Sequence, residues 1–457
     1  MTVTNPTSSA NVLHDLGLWR MLFEHARQHD ASQFKALLSR VITQLDQLLS
    51  EQLSAVIQAE EFKRLEASWS GLHSLVQLPV SSRRIKVKLL DFSWNMLSTD
   101  LNQSFEISRS ALFKKIYAKE LDTAGGQPFG LLVVDHHVHS DLDESCDFDD
   151  LYTLQLLAEL GERSLCPVVL GVDNYFFGDD PARLAHDHAR INRILTSQDL
   201  QSWQLLRQHH SSRFLHLVLP QYRIRTPRQH YPAGFVFNEA NTNSSVLWGN
   251  AAYLLAANVI REFDRISWFG FLRAHDATGN HGVLIDLNDS VCTPLKARID
   301  IFSESDGFWA DQGFVPVSSI YLSGQLGLFS NQSVWKPANE ASKTSGMLQT
   351  NLMACRFGHY IKAQMRDRVG SFDSAATCQR DLDKWLQTYI SNVDYGDESI
   401  MARYPLKHAE VRFVADRHDS TRYRCEIKLQ PQYQYEMLDT HITLMTDVSS
   451  DKLGETP

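Results

Sequence analysis

The chain has 457 residues, 43% of them apolar, with 44 Lys and Arg against 54 Asp and Glu and a formal net charge of −10. That length exceeds one ordinary core and implies two or three domains. The apolar share excludes global disorder, and the acidic balance excludes nonspecific nucleic-acid binding, which needs a basic footprint. The cysteines Cys146, Cys166, Cys292, Cys355, Cys378 and Cys425 are dispersed, with no CxxC pair and no zinc-ligand spacing, and read as reduced thiols. Residues 1–11 lack the basic and apolar regions of a signal peptide. No stretch approaches the roughly 18 consecutive apolar residues of a membrane span. The expectation is a cytoplasmic protein with no membrane insertion.

In chain order, residues 1–10 read as a polar tail, and Leu13, Leu16, Leu18, Met21, Leu22 and Phe23 could form a short helix. From Phe34 to Ile57 apolar side chains recur in steps of three and four: Leu38, Val41, Ile42, Leu45, Leu48, Leu49, Leu53 and Val56 share one stripe. A long helix with one narrow stripe seeks another helix, in this chain or another. Arg84 to Phe92 reads as a strand on its alternation of Ile85, Val87 and Leu89. Ser110 to Glu120 reads as a helix. Leu131 to Val134 and Cys166 to Val172 read as buried strands on either side of a helix over Leu151 to Arg163, an α/β layer. Phe214 to Leu219 is a further strand, ended by Pro220.

Residues 226–246 and 270–296 are rich in turn formers and read as irregular. Helices are predicted over Trp248 to Phe263, Asn351 to Arg368 and Asp381 to Val393. The last segment alternates with period two through Tyr423, Cys425, Ile427 and Leu429 and then Leu438, Thr440, Ile442 and Leu444, with a hairpin turn at Asp416 to Ser420. A terminal strand leaves an open edge where another subunit can add a strand. The fold class is therefore a mixed α/β (α+β) chain. Its expected divisions are 1–60 helical, 61–335 a central α/β domain, and 336–457 a C-terminal domain with inter-subunit strands.

Seven blocks in order along the chain then show a resemblance. They are Phe62-Lys63-Arg64-Leu65-Glu66-Ala67-Ser68-Trp69-Ser70-Gly71-Leu72, Ser110 to Tyr117, Gly125 to Leu132, Trp248-Gly249-Asn250-Ala251-Ala252-Tyr253, Arg356 to Lys362, Arg366 to Phe372, and Ala402-Arg403-Tyr404-Pro405-Leu406. Together they resemble the large-subunit family of the type VI secretion contractile sheath (TssC/VipB/ImpC-like), a phage-tail-sheath-like fold. The resemblance implies a structural protein without catalytic, cofactor or metal residues. It implies partners: the small sheath subunit, further copies of the chain, the inner-tube haemolysin-coregulated protein, the baseplate, and a ClpV-type AAA+ ATPase acting on the N-terminal helix. Interface roles fall on Leu65, Glu66, Trp69, Trp248, Asn250, Arg366, Arg403, Tyr404, Ile442 and Leu444. The family's Arg in the Trp-Arg-Gly-Leu block is Ser70 here, and its Gly-Asp-Tyr-Glu-Phe segment is Val134-Asp135-His136-His137-Val138. Those departures keep a non-polymerising supporting paralogue in view.

One cluster suggests chemistry. Asp135, His136, His137 and His139 at a strand end, with His186-Asp187-His188, offer donors for a metal-dependent phosphoesterase. The competing reading is a polar loop in a chain of 19 histidines. Cys355 and His359 share a helix face, but Cys355 lies in an apolar stripe and reads as core. The Gly125-Gly126 and Gly324 to Gly327 pairs read as turns, Trp69, Trp248 and Trp385 as core or interface anchors, and Arg356, Lys362, Arg366 and Arg368 as a solvated helix face that could meet acidic surfaces of a neighbour in a sheath.

Overall fold

A computed structural model describes Arg20, Glu24 and residues 31–140, 148–178, 185–230, 235–240, 245–273, 282–285, 287, 295–367, 375–390, 404–415, 422–432 and 442–449. The expectations for residues 1–19, Arg368, Arg403 and the turn at Asp416 to Ser420 lie outside these. The chain divides into two compact units, one of Met1–Glu66 with Arg225–Leu247 and one of Ala67–Ile224 with Trp248–Pro457.

In the first unit, helix α1 (Ala31–Ile57) turns a serine face inward. Ser50 Oγ donates to Val236 O at 3.4 Å and accepts the Asn238 N–H at 3.3 Å. Ser54 Oγ accepts the Ala240 N–H at 3.1 Å, and Gln58 Nε2 donates to Ala240 O at 2.9 Å. Side-chain oxygens thus satisfy backbone groups of residues 236–240 that have few ladder partners. The consequence falls on the other face: Ile42, Leu45, Leu48, Leu49, Leu53 and Val56 are all exposed. Helix α2 (Glu60–Val76) begins in this unit with Glu60 and Glu61 in its first turn, where the helix dipole favours carboxylates.

The second unit holds α3 (Trp94–Gln103), strand β1 (Leu132–Val138), α4 (Asp150–Ser164), β2 (Val168–Val172), β3 (Leu215–Leu219), α5 (Ala252–Ile266) and β4 (Phe314–Pro316). The four strands form a parallel sheet in the order β1-β2-β3-β4, with Val168 opposite both Leu132 and Leu215 and Leu217 opposite Phe314. β2 and β3 are buried along their whole length, which is why they read as continuous apolar runs. Leu154, Leu157, Leu170, Leu217 and Trp203 form the core with Phe314, whose ring stacks on Trp203 at 5.1 Å.

After the sheet come α6 (Leu348–Asp367), α7 (Ala375–Gln387) and strands β5 (Leu406–Ala415), β6 (Arg422–Pro431) and β7 (Ile442–Ser449). These strands form an antiparallel sheet in the order β5-β6-β7, with Ile427 opposite both Val411 and Leu444. Cys425, Ile427 and Leu429 are buried, as their alternation predicts. Among the described residues β7 has one paired edge and one open edge.

Three expectations need correction. Residues 84–92 form no strand, because no other strand pairs with them. The helix expected over Ser110 to Glu120 is largely a π-helix, Lys114–Leu121. The helix expected from Trp248 starts at Ala252, because Leu247–Gly249 is a short strand. Helix α3 and strand β4 carry too short an apolar pattern to be read in advance.

Candidate functional site

Strand β1 carries the Asp-His-His cluster through a register irregularity between Val133 and His137, and the fold gives its side chains separate partners. His136 points at α4: its Nε2 lies 2.8 Å from Asp150 Oδ2, and its ring stacks on Trp94 at 4.0 Å with 7° between planes. Trp94 Nε1 donates to Asp150 Oδ1 at 2.6 Å and the His139 N–H donates to Oδ2 at 3.0 Å. Burial pushes the Asp150 carboxyl up, but the hydrogen bond and charge of His136, with the His139 amide and Trp94, outweigh it and hold the group below the ordinary carboxylate range. Desolvation of the half-buried His137 ring lowers its pKa against the opposing charges of Asp135 and Asp173.

Asp135 faces α5. Asn250 Nδ2 donates to Asp135 Oδ1 at 3.2 Å and to His136 O at 3.1 Å, while its Oδ1 accepts the Ala252 N–H at 2.9 Å. Burial, and then the Asp135 charge and its hydrogen bond, push the Tyr253 phenol up. Two glycines make this packing possible. A Cβ on Gly71 would stand 2.4 Å from the Tyr253 ring, and one on Gly171 would stand 2.4 Å from Asn250 Oδ1. Two family-type blocks, those holding Gly71 and Asn250 with Tyr253, therefore meet at the Asp135 segment, joining α2, β1 and the start of α5.

These geometries do not make a metal centre. Among the described residues no group of three or more His, Cys, Asp or Glu stands close enough to hold an ion. His188 stacks on Phe308 at 4.1 Å, and Asp187 Oδ1 accepts the Arg190 N–H at 2.9 Å as a helix cap. Cys355 is buried with its thiol pushed well up by desolvation, and burial takes His359 down to about 4. A thiol held neutral beside a neutral imidazole has no nucleophile to offer. Gly125 and Gly324 adopt φ of +79° and +67°, which are turn conformations.

The residues marked for interface roles are distributed as follows. Leu65 and Trp69 are exposed on α2, Trp69 at 58%. Glu66 is clamped inside the first unit: Arg225 Nε and Nη2 reach its two oxygens at 2.8 Å each, and Arg228 Nη2 reaches Oε1 at 2.8 Å. Arg225 Nη1 then reaches Glu239 Oε2 at 2.9 Å, and the Glu239 side chain is fully buried. Arg225, Arg228 and Glu239 were not legible as partners, because they lie more than 150 positions from Glu66 in sequence.

Asn250 is buried in the packing above, and Trp248 lies beneath the Arg298 guanidinium at 5.4 Å. Arg366 Nη1 donates to Leu121 O and Thr123 O at 3.0 Å each, capping the carbonyl end of the π-helix. Its neighbours on α6 are tethers as well, and not the solvated face expected. Lys362 pairs with Asp122 at 3.1 Å and lies over the Tyr117 ring at 3.9 Å; Arg356 lies over Phe263 at 4.6 Å and Trp268 at 4.4 Å. Trp385 meets Tyr389 edge-on at 5.2 Å. Tyr404 and Leu444 are half-buried, Ile442 lies opposite Leu429 in β7, and Arg403 lies outside the described residues.

An outward leucine stripe, aromatic side chains on the surface of α2 and an open-edged terminal sheet belong to a protein built to assemble. Residues 39–335 match the family model VipB, the "EvpB/VC_A0108, tail sheath N-terminal domain", and residues 337–448 match VipB_2, its "tail sheath gpW/gp25-like domain". The chain belongs to this tail sheath family and is a structural sheath subunit. Among curated proteins it is 27% identical over 460 residues to the type VI secretion system sheath protein TssC1 of Pseudomonas aeruginosa, covering 95% of this chain and 91% of that one.

Two solved structures align more loosely. A sheath tail protein from Desulfitobacterium hafniense shares 10% identity over 67% of this chain and 64% of that one, with a TM-score of 0.29. The PVC sheath complex of an extracellular contractile injection system, in its contracted state, shares 8% over 67% of this chain and 66% of that one, with a TM-score of 0.33. The assignment rests on the family models.

Proposed function

We propose that the chain is the large subunit of a type VI secretion contractile sheath in the cytoplasm. It co-assembles with a small sheath subunit, and with further copies of itself, into a helical tubule around an inner tube of haemolysin-coregulated protein. Contraction of that tubule drives the inner tube outward from a baseplate. The observation that carries this reading is the inverted helix α1, which docks by Ser50 and Ser54 and leaves six large aliphatic side chains in water. A stripe of that size on a single chain is a contact surface awaiting another chain. The role is structural and not catalytic, and the engagement of His136 by Asp150 and of Asp135 by Asn250 supports that. Among the described residues no helix is long and apolar enough to cross a membrane.

Within this reading, Leu65 and Trp69 serve the outward surface of α2. Tyr404, Ile442 and Leu444, with Arg403, serve a C-terminal domain spanning 336–457 whose open β7 edge pairs with a neighbouring subunit. The N-terminal residues before α1 are the place for a ClpV-type ATPase to engage.

The experiment is co-expression with the cognate small subunit followed by electron microscopy. Tubules are expected from the full chain, and none from a chain lacking residues 438–457. Soluble complexes of the full chain that never polymerise would replace this reading with a supporting paralogue. Normal tubules from the truncated chain would refute strand exchange at the C-terminus.

A further inference from the structure

Residues 84–92 have the alternation of a strand and no sheet. On one side, Arg84 pairs with Asp264 at 3.0 Å, Lys86 Nζ donates to Gln127 Oε1 at 3.0 Å, and Lys88 pairs with Glu120 at 2.8 Å. After the turn that ends at Arg84, residues 85–93 lie in no helix, strand or turn, and anchors at every second residue suit an extended backbone whose other row of side chains faces away. That other row is apolar and in water: Val87 is 42% exposed and Leu89 68%. Among the described residues, no hydrogen bond reaches the backbone N–H or C=O groups of residues 86–91. An extended segment with unpaired backbone, fixed in place by its alternate side chains, is a template for an added strand.

The local charge indicates what adds. Among the described residues Arg83 meets no carboxylate, and Lys86 meets only the neutral amide of Gln127. These two cations stand at the start of the segment, and Asp91 bounds its far end. A strand lying across residues 85–90 gains most if it sets apolar side chains against Val87 and Leu89 and a carboxylate near Lys86. We propose that residues 85–90 are a docking strand for an extended segment of a different chain, one that alternates acidic and apolar side chains. This rests on the sheath reading for its setting and is distinct from the C-terminal strands.

Hydrogen exchange on the full chain, alone and in complex with the small sheath subunit, tests it. The amides of residues 86–90 are expected to exchange freely in the isolated chain and at least ten-fold more slowly in the complex. Val87→Pro removes one backbone donor while suiting an extended residue, and Leu89→Glu opposes an acidic partner. Each should abolish the protection while leaving the thermal midpoint of the isolated chain unchanged.

Tubules in which these amides still exchange freely would overturn the docking strand and leave the sheath reading intact. Protection that rises with concentration in the isolated chain would mean a second copy is the occupant, which also overturns it. Failure to form any complex or tubule would count against the sheath reading itself. The segment is then probed with a blocked heptapeptide of alternating glutamate and valine: slowed exchange supports the docking strand, and unchanged exchange overturns it.

Discussion

Replacing Arg225 by alanine should strongly destabilise the first unit while sparing the second. The guanidinium makes two hydrogen bonds to Glu66 and one to Glu239, and its own side chain is 7% exposed. Its removal leaves the fully buried Glu239 carboxylate with the Arg228 amide at 2.8 Å and the Gln58 amide at 3.5 Å. Charge-assisted hydrogen bonds contribute about 1.5–3 kcal/mol each, but they are not additive inside one network. The better guide is the cost of breaking a buried ion pair from one side, about 3–5 kcal/mol. A unit of this size is stable by about 5–15 kcal/mol, so the loss takes a large share of that margin, and nearly all of it at the lower end.

Hydrogen exchange reads this directly. Protection of the amides of Asn238 and Ala240 should fall by roughly two to four orders of magnitude, since each 1.4 kcal/mol is tenfold. Protection in β2 and β3 should be unchanged. Arg225→Lys keeps a charge but loses the two-pronged contact with Glu66, and should fall between. If Arg225→Ala leaves Asn238 and Ala240 as protected as in the parent chain, the network is not what holds this unit together.

Three further outcomes follow from burial and backbone strain. Burial takes Asp306 up to about 6 from an ordinary 3.8, so the folded state keeps a proton that the unfolded state loses, and stability falls as pH rises between those values. At about 1.36 kcal/mol per pH unit, Asp306→Asn should stabilise by roughly 2–3 kcal/mol at pH 7.5 and by nothing near pH 3.5, measured by urea denaturation at both. His216 and His359 are depressed by burial to about 3 and about 4 from 6.5. The unfolded state therefore takes up protons first, and stability should be intact above pH 6.5 and decline steadily as the pH falls toward 4. A flat stability profile from pH 7 to 4.5 would contradict that burial. Leu322 holds φ at +62° with a side chain 90% exposed at a hairpin tip. Leu322→Gly should raise the stability of the isolated chain by about 1 kcal/mol, because glycine alone adopts that conformation without strain. A fall in the melting midpoint would show that the leucine is held by contacts within the chain.

Much of the fold was legible in the sequence because its determinants are local. The 3.6-residue stripe between Phe34 and Ile57 predicts α1, the uninterrupted apolar runs predict β2 and β3, and the period-two alternation predicts β6 and β7. The ordered blocks identify the tail sheath family, which the matches over residues 39–335 and 337–448 establish.

What the sequence could not determine is where each patterned face points and what long-range partner it finds. The stripe of α1 reads the same whether it is buried or exposed; only the serine contacts to residues 236–240 turn it outward. The alternation of residues 84–92 is that of a strand, yet a strand exists only if a neighbour pairs with its backbone, and none does. Asp135, His136 and His137 look like one ligand set until the fold gives them separate partners, Asn250 for Asp135 and Asp150 with Trp94 for His136. Glu66 finds Arg225 across 159 positions of chain, a pairing no periodicity encodes. Periodicity is written in neighbouring residues and survives in the unfolded chain, whereas pairing is decided by which surfaces meet once the chain has folded.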